Sequence, residues 1–184
     1  MSVEPALRRK TIALVGLMGA GKSSVGRRLA QALNLPFRDT DEEVERAAGR
    51  SVNDIFAELG EQAFRAGERR VIARLLEDPP HVLATGGGAF MSDETRALIK
   101  DKAISVWLKA DVEVLARRVG RKNDRPLLRG RNPVTTLREL AEVRYPIYAQ
   151  ADITVDSIDT SHAAMVQAII EALRARLVPE GTAS

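Results

Sequence analysis

The sequence predicts an α/β fold in three layers, α/β/α, with a five-stranded parallel sheet between two layers of helices. Five short apolar runs indicate buried strands, and amphipathic stretches separate them. Parallel neighbours need crossover helices that pack back onto the sheet, so this alternation indicates a sheet covered on both faces. A glycine-rich turn follows the first run directly, as a phosphate-binding turn does at the carboxyl end of a strand.

The strands are expected where the apolar runs lie. The first run is uncharged and rich in β-branched residues, which is typical of a fully buried strand. Strands are expected over residues 11–15, 35–39, 81–85, 103–108 and 152–155.

The helices are expected where apolar residues recur every three or four positions. Gly49 and Gly60 separate three of them, Pro133 suits the first turn of another, and Pro146 should bend that helix. Helices are expected over residues 23–33, about 41–48, 52–59, 61–77, 93–100, 111–119 and 133–148, and in a last segment with the apolar face Val166, Ile169, Ile170, Leu173 and Leu177.

Composition limits the class of protein. A chain of 184 residues with 45% hydrophobic and 29% charged residues is ordinary for one globular domain, residues 1–184 with a core at about 10–177 and a loose lead-in over residues 1–9. The chain has no cysteine, which excludes a disulfide framework and a thiolate metal site and is compatible with a cytoplasmic protein. No apolar run reaches the length of a membrane span, so we expect no membrane partner.

A basic segment is the main feature of a chain whose net charge is +3. Few aromatic residues accompany it, so we expect its charges to serve nucleotide phosphates rather than nucleic acid, although most of them could simply be solvated surface charge. The single acid Asp124 stands among its seven basic residues, Arg117, Arg118, Arg121, Lys122, Arg125, Arg129 and Arg131.

The turn after the first strand, residues 16–24, fits the pattern G-x-x-x-x-G-K-[ST] at every fixed position. Its glycines let backbone N–H groups surround phosphate oxygens, Lys22 can reach the terminal phosphates, and the Ser23 hydroxyl can hold Mg²⁺. A glycine-rich turn can also be only a tight connection, but the order of strand, loop and helix favours phosphate binding. The residues expected to contact the nucleotide here are Gly19, Ala20, Gly21, Lys22, Ser23 and Ser24.

Two carboxylates, Asp39 and Asp41, follow the second predicted strand. We expect Asp39 to help hold the magnesium waters and Asp41 to meet a hydroxyl of the phosphoryl acceptor. Alternatively, Asp41 only caps the next helix. The third strand ends in Thr85 instead of the aspartate of a typical Walker B strand, so magnesium would rest on Ser23, the phosphates and waters, steadied by Asp39.

A triple glycine, Gly86, Gly87 and Gly88, follows the third predicted strand. Three glycines are costly to order as a mere turn, and their lack of side chains lets a ligand approach the backbone. Ligands collect at the carboxyl ends of parallel strands, so this turn, the aspartates and the phosphate loop should converge on one crevice.

Together these motifs resemble the shikimate kinase family. The resemblance covers about residues 10–177, and the order and spacing of its motifs are specific. It rests on residues 16–24, 39–41, 49–51, 55–56, 60–65, 86–88, 125–128 and 144–148.

The resemblance implies a P-loop fold of the nucleoside-monophosphate-kinase-like kind and ATP-dependent, magnesium-supported phosphorylation of the shikimate 3-hydroxyl, in the route to chorismate and aromatic amino acids. It implies an acceptor-binding helical segment at about residues 41–70 and a lid at about 120–132. The acceptor contacts that it implies are Asp41, Arg65, Gly87 and Arg144, with Gly86 and Gly88 beside them. It also implies an ATP-facing catalytic arginine at Arg125 and an adenine-side contact at Arg118.

The residue chemistry agrees with this resemblance, because a small hydroxylated carboxylate needs cationic forks and a hydroxyl acceptor. Arg65 and Arg144 offer the forks, although Arg65 could instead pair with Glu61 or Glu68 along its helix. Catalysis is then expected to be positioning and charge neutralisation by Lys22, Mg²⁺ and Arg125.

Two other functions remain open at this point. A gluconate-type kinase would share the phosphate loop but not the acceptor residues, and a non-catalytic nucleotide-dependent binding module would use the basic segment. With ATP and shikimate as its small-molecule partners, we expect a monomer.

Overall fold

Strand β1 (Thr11–Val15) lies in the middle of a five-stranded parallel sheet, as its uninterrupted apolar run predicts. The computed structural model describes residues 4–119, 130, 132–157 and 161–177. The sheet has the order β2-β3-β1-β4-β5, so β1 pairs with β3 on one side and with β4 on the other. The remaining strands are β2 (Phe37–Asp39), β3 (Val82–Ala84), β4 (Ala103–Lys109) and β5 (Ile153–Asp156). The predicted α/β class with a five-stranded parallel sheet is therefore confirmed.

The helices begin at the residues that favour helix starts. Ser51, Ser92 and Asn132 accept hydrogen bonds from backbone N–H groups of the first turns that follow them, which satisfies donors that the helix leaves open. The helices are α1 (Glu4–Leu7), α2 (Lys22–Leu33), α3 (Thr40–Ala48), α4 (Val52–Leu59), α5 (Glu61–Leu75), α6 (Asp93–Lys102), α7 (Val112–Val119), α8 (Pro133–Tyr148) and α9 (His162–Leu177).

The expectation of a loose lead-in over residues 1–9 was wrong for part of that segment. Residues Glu4–Leu7 form the short helix α1, which contacts α9. Leu7 is only 2% exposed and belongs to the core, so burial of one large apolar side chain orders this turn. A single 3₁₀ turn, Ala89–Met91, was also not predicted.

Three turns at the carboxyl end of the sheet prepare the site. Strand β1 leads into the phosphate loop, β2 into the start of α3, and β3 into the glycine turn of residues 86–88. Helix α5 packs against both α3 and α4 beside this edge.

The predicted lid at about residues 120–132 lies outside the described residues, except for Gly130 and Asn132. Arg125 belongs to that part of the chain. Within the described ranges, no helix is both long and apolar enough to cross a membrane.

Candidate active site

The phosphate loop leaves the N-terminus of α2 open. Gly21 stands at the cap position of α2 with φ of 88°, and no side chain caps the helix there. No capping side chain therefore keeps an anion from the start of α2. Gly19 has φ of 82°, and a Cβ atom on it would lie 2.8 Å from Cγ2 of Val119, so glycine is required at this position.

Two cationic side chains hold this loop. Lys22 is buried, and its Nζ donates hydrogen bonds to the carbonyl oxygens of Gly16 at 2.6 Å and Leu17 at 3.0 Å. Arg118, from α7, donates from Nη1 to the carbonyl oxygen of Gly19 at 3.2 Å. Both side chains thus lie against the loop in which the sequence places the nucleotide phosphates.

Asp39 connects the phosphate loop to α3. Its Oδ2 accepts a hydrogen bond from the Ser23 hydroxyl at 2.6 Å, and its Oδ1 accepts from the N–H groups of Asp41 at 2.9 Å and Glu42 at 3.2 Å. The cap of α3 is therefore Asp39, and Asp41 lies in the first turn of the helix. This geometry differs from the alternative in which Asp41 is itself the cap.

The glycine turn leaves room for side chains that come from helices α3 and α5. A Cβ atom on Gly86 would lie 2.6 Å from Oε2 of Glu68 and 3.0 Å from Oδ1 of Asp41. A Cβ atom on Gly88 would clash with the guanidinium group of Arg65, whose Cζ would be 2.5 Å away. Side chains on this turn would thus displace the carboxylates and the guanidinium group that converge on it.

Arg65 and Glu68 form an ion pair on α5. Nη1 of Arg65 lies 3.1 Å from Oε1 of Glu68, and its Nη2 lies 3.5 Å from Oε1 of Glu61. Glu68 is 1% exposed, and its Oε2 has no hydrogen-bond partner among the described residues. Burial raises the pKa of Glu68 above its ordinary value, the nearby Arg65 opposes this rise, and the charge of Asp41 adds to it.

Arg144 reaches the same turn from α8. It is 7% exposed, and within the described ranges its Nη1 is buried without a hydrogen-bond partner. This atom would lie 3.3 Å from a Cβ atom on Gly87. A buried guanidinium group with an unused donor is costly unless an anion meets it, so this position suits a carboxylate ligand.

Two cavities meet at these residues. The larger one, of about 520 Å³, extends from the phosphate loop towards α4 and α5, and the smaller one, of about 210 Å³, extends along the loop towards α7 and α9. Phe56 and Phe64, whose ring centroids are 4.8 Å apart, line the larger cavity. The residues common to both cavities are Met18, Ser23, Ser24, Asp39, Asp41, Gly86 and Gly87.

Ser23 and Asp39 offer hard oxygen ligands for a magnesium ion, and their side chains lie within hydrogen-bond distance of each other. At the place of a Walker B aspartate, Thr85 donates from Oγ1 to the carbonyl oxygen of Leu14 at 2.8 Å. No group of three or more histidine, aspartate or glutamate side chains among the described residues could hold a metal ion. The donor set fits an ion that keeps most of its waters and phosphate ligands.

The sequence predicts Glu68 only as one of two ion-pair partners for Arg65, beside Glu61. The structure also places it in the larger cavity, beside Asp41 and Gly86. Its position three residues after Arg65 was the available signal, because residues at this spacing share one face of a helix.

A parallel α/β sheet, a phosphate loop with an open helix N-terminus and an adjoining polar cavity define the class of P-loop kinases. A sequence model described as shikimate kinase matches residues 18–174. A shikimate kinase of Caulobacter vibrioides is 71% identical over 168 residues, which cover 91% of this chain and 84% of the relative. This chain belongs to the shikimate kinase family.

Solved structures agree with this family. A shikimate kinase from Acinetobacter baumannii, solved in complex with shikimate, has a TM-score of 0.91 and 36% identity, and the match covers 96% of this chain and 99% of the other. A gluconokinase from Sinorhizobium meliloti has a TM-score of 0.61 and 22% identity, with 92% of this chain and 94% of the other covered. The similarity to the gluconokinase shows a shared fold and nothing further.

Proposed function

We propose that this protein phosphorylates the 3-hydroxyl of shikimate with ATP and releases shikimate 3-phosphate and ADP, in the route to chorismate and aromatic amino acids. The observation that carries the proposal is the junction of the two cavities. Ser23 and Asp41 lie where they meet, so a phosphoryl donor on the loop and an acceptor in the larger cavity would face each other.

The larger cavity offers groups that match the acceptor. Arg65 and Arg144 supply two guanidinium groups for its carboxylate, and Gly86, Gly87 and Gly88 let it approach the backbone. Asp41 supplies an oxygen that can orient the attacking hydroxyl.

The smaller cavity receives the donor. The loop residues Gly19, Ala20, Gly21, Lys22, Ser23 and Ser24 surround the phosphates, and Arg118 lies on the adenine side. Arg125 acts from the proposed lid at about residues 120–132, which closes over the nucleotide, and residues 41–70 form the acceptor-binding segment.

The reaction forms a bond between the acceptor oxygen and the γ-phosphorus and breaks the bond from that phosphorus to ADP. The carboxylate of Asp41 accepts the hydroxyl proton, and Lys22 compensates the charge that moves onto the leaving ADP. Ser23 and Asp39 would hold magnesium, and the ion would supply neutralisation of the phosphate charge.

We further propose that the protein is a cytoplasmic monomer that acts on small molecules without a nucleic-acid or membrane partner. The absence of cysteine is compatible with that compartment.

The proposal is tested by following ADP release with a coupled assay in the presence of shikimate, gluconate or no acceptor. ADP release should require shikimate, and mass spectrometry should show one phosphoryl group on its 3-hydroxyl. Lys22→Ala should still fold but abolish this turnover, with some loss of stability because its two carbonyl partners lose their donor, while Lys100→Ala, at an exposed position, should keep turnover. Turnover with gluconate, or salt-dependent oligonucleotide binding without turnover, would contradict the proposal.

A further inference from the structure

Tyr148 lines neither cavity, but its side chain reaches the turn that the acceptor approaches. It is the last residue of α8, its side chain is fully buried, and its hydroxyl donates a hydrogen bond to the carbonyl oxygen of Gly87. Burial raises the pKa of Tyr148 to about 12, an effect that the nearby Arg144 partly offsets, so the hydroxyl stays protonated and able to donate at neutral pH.

This hydrogen bond fixes a peptide group that glycine would otherwise leave free to rotate. A trans peptide is planar, and its N–H points opposite to its carbonyl group. The carbonyl of Gly87 is held towards Tyr148, so the N–H of Gly88 points away from Tyr148. Among the described residues this N–H donates no hydrogen bond to the protein, which leaves it for a ligand.

The same turn of α8 holds a second group of the acceptor site. Arg144 and Tyr148 are four residues apart and so share one face of the helix. Both meet Gly87, the hydroxyl through its hydrogen bond and the guanidinium group through the close approach of Nη1. Rotation of the Gly87–Gly88 peptide would thus change the direction of its N–H relative to the Arg144 guanidinium group, which approaches Gly87.

We infer that Tyr148 is a positioning residue for the acceptor carboxylate. It locks the peptide between Gly87 and Gly88 so that the backbone N–H and the Arg144 guanidinium group converge on one anion. This inference rests on the proposed function, because it concerns the same acceptor site.

The test compares Tyr148→Phe with the matched variant Tyr145→Phe. The hydroxyl of Tyr145 donates to the carbonyl oxygen of Ala110 at 2.6 Å, on the same helix but away from the glycine turn. Both tyrosines pack against Trp107, with ring-centroid distances of 5.1 Å for Tyr145 and 5.8 Å for Tyr148. Each variant therefore keeps its ring and loses a hydrogen bond from a hydroxyl to a carbonyl, and Tyr148→Phe also loses the side-chain hydrogen bond between Tyr148 and Arg144.

Tyr148→Phe should raise the KM for shikimate about 5- to 150-fold, the range expected when a buried carbonyl loses its hydrogen-bond partner. Its kcat should change by less than about threefold and its KM for ATP should stay constant, because the hydroxyl does not touch the reacting atoms. Tyr145→Phe should leave the KM for shikimate within about twofold of the wild type. The melting temperatures of both variants should fall, and that of Tyr148→Phe should fall further because its hydroxyl also bonds Arg144.

A second readout separates positioning from general loosening of the fold. The methyl ester of shikimate keeps the ring hydroxyls and lacks the charge, so calorimetric titration of Tyr148→Phe should show a loss of affinity for the acid but not for the ester. Equal losses for acid and ester, a parallel loss of ATP affinity, or equal effects in the two variants would overturn the inference. Failure of the proposed function would look different, because the wild-type protein itself would release no ADP in response to shikimate.

Discussion

Asp39 and Asp41 are two residues apart, and they have different surroundings. Asp39 accepts two backbone hydrogen bonds and one from Ser23, whereas Asp41 lies beside Gly86 in the cavity. Substitutions at the two positions should therefore affect stability and activity in different proportions.

We expect Asp41→Asn to lower shikimate-dependent turnover about 10²- to 10⁴-fold, because an amide cannot accept the hydroxyl proton. Its melting temperature should stay close to that of the wild type, since Asp39 is the cap. Asp39→Ala should instead lower the free energy of unfolding by about 0.5–2 kcal/mol through loss of the cap. A coupled assay and thermal melts measure both effects, and full activity of Asp41→Asn would remove this residue from the acceptor site.

Glu68 should make the stability of the protein depend on pH. Burial raises its pKa above the ordinary value of 4.5, so the folded protein holds this proton more tightly than the unfolded chain does. The resulting stabilisation is complete below about pH 4.5 and is lost as the pH rises through the folded-state pKa.

Glu68→Gln cannot lose this proton, so its melting temperature relative to the wild type should increase as the pH rises from about 4.5 to 7. Thermal melts at several pH values measure the difference. Glu61→Gln, which changes a side chain that is 54% exposed, is the control for the loss of one carboxylate from the same helix. If the melting-temperature difference between Glu68→Gln and the wild type did not change with pH, the raised pKa of Glu68 would be contradicted.

At the scale of the element, two helices contain an interior glycine in opposite surroundings. A Cβ atom on Gly67 in α5 would have no neighbour closer than 3.9 Å. A Cβ atom on Gly26 in α2 would lie 2.7 Å from Cε2 of Phe37 and 3.2 Å from Cδ1 of Leu14. The first glycine is dispensable for packing, and the second allows α2 to approach the sheet.

Gly67→Ala should therefore raise the free energy of unfolding by about 0.5–1 kcal/mol, because alanine favours the helix. Gly26→Ala should lower it by about 1–3 kcal/mol through overpacking against the aromatic ring. Urea unfolding of both variants provides the measurement. Destabilisation by Gly67→Ala would show that α5 needs backbone freedom at this position.

Most elements could be predicted from the sequence because apolar runs and helical spacing reflect local burial. The first and last residues of these elements were less predictable where a few residues form turns. Strand β2 starts at Phe37 instead of residue 35, since Pro36 has no N–H to donate, although its carbonyl accepts a hydrogen bond from Val82 at 2.9 Å. Helix α5 ends at Leu75 instead of residue 77, and the next residues form single turns ahead of Pro79.

The candidate site was predictable where a motif is contiguous, as in the phosphate loop and the glycine turn. Contacts between distant parts of the chain were not predictable in the same way. The hydrogen bond from Tyr148 to Gly87 joins residues 61 positions apart, and it depends on how α8 packs against β4 and the turn. The approach of Glu68 to Gly86 likewise depends on how α5 packs beside the sheet.

For the whole molecule, alternation of strands and helices predicts a parallel sheet but not its strand order. Each crossover can place the next strand on either side of the previous one, so the position of β3 between β1 and β2 had to come from the structure.

That the protein is a monomer remains our prediction at the scale of the whole molecule. Among the described residues the exposed large hydrophobic side chains are Leu59 and Val143, which lie on different helices and form no shared patch with one another. Light scattering coupled to size exclusion should give one species of 20.1 kDa. A species of twice this mass that persists on dilution would contradict the prediction.

Trp107 gives the molecule a built-in optical reporter, because it is the only tryptophan of the chain. Its Cδ1 lies 3.6 Å from the position of a Cβ atom on Gly16, at the start of the phosphate loop, and the amine of Lys109 lies 5.4 Å from the centroid of its ring. Its fluorescence therefore comes from one place, between the nucleotide loop and the aromatic residues under the glycine turn. We expect ATP and shikimate each to change this emission, so that both binding events can be titrated without a label. Unchanged emission at saturation with both substrates would show that the indole environment responds to neither of them.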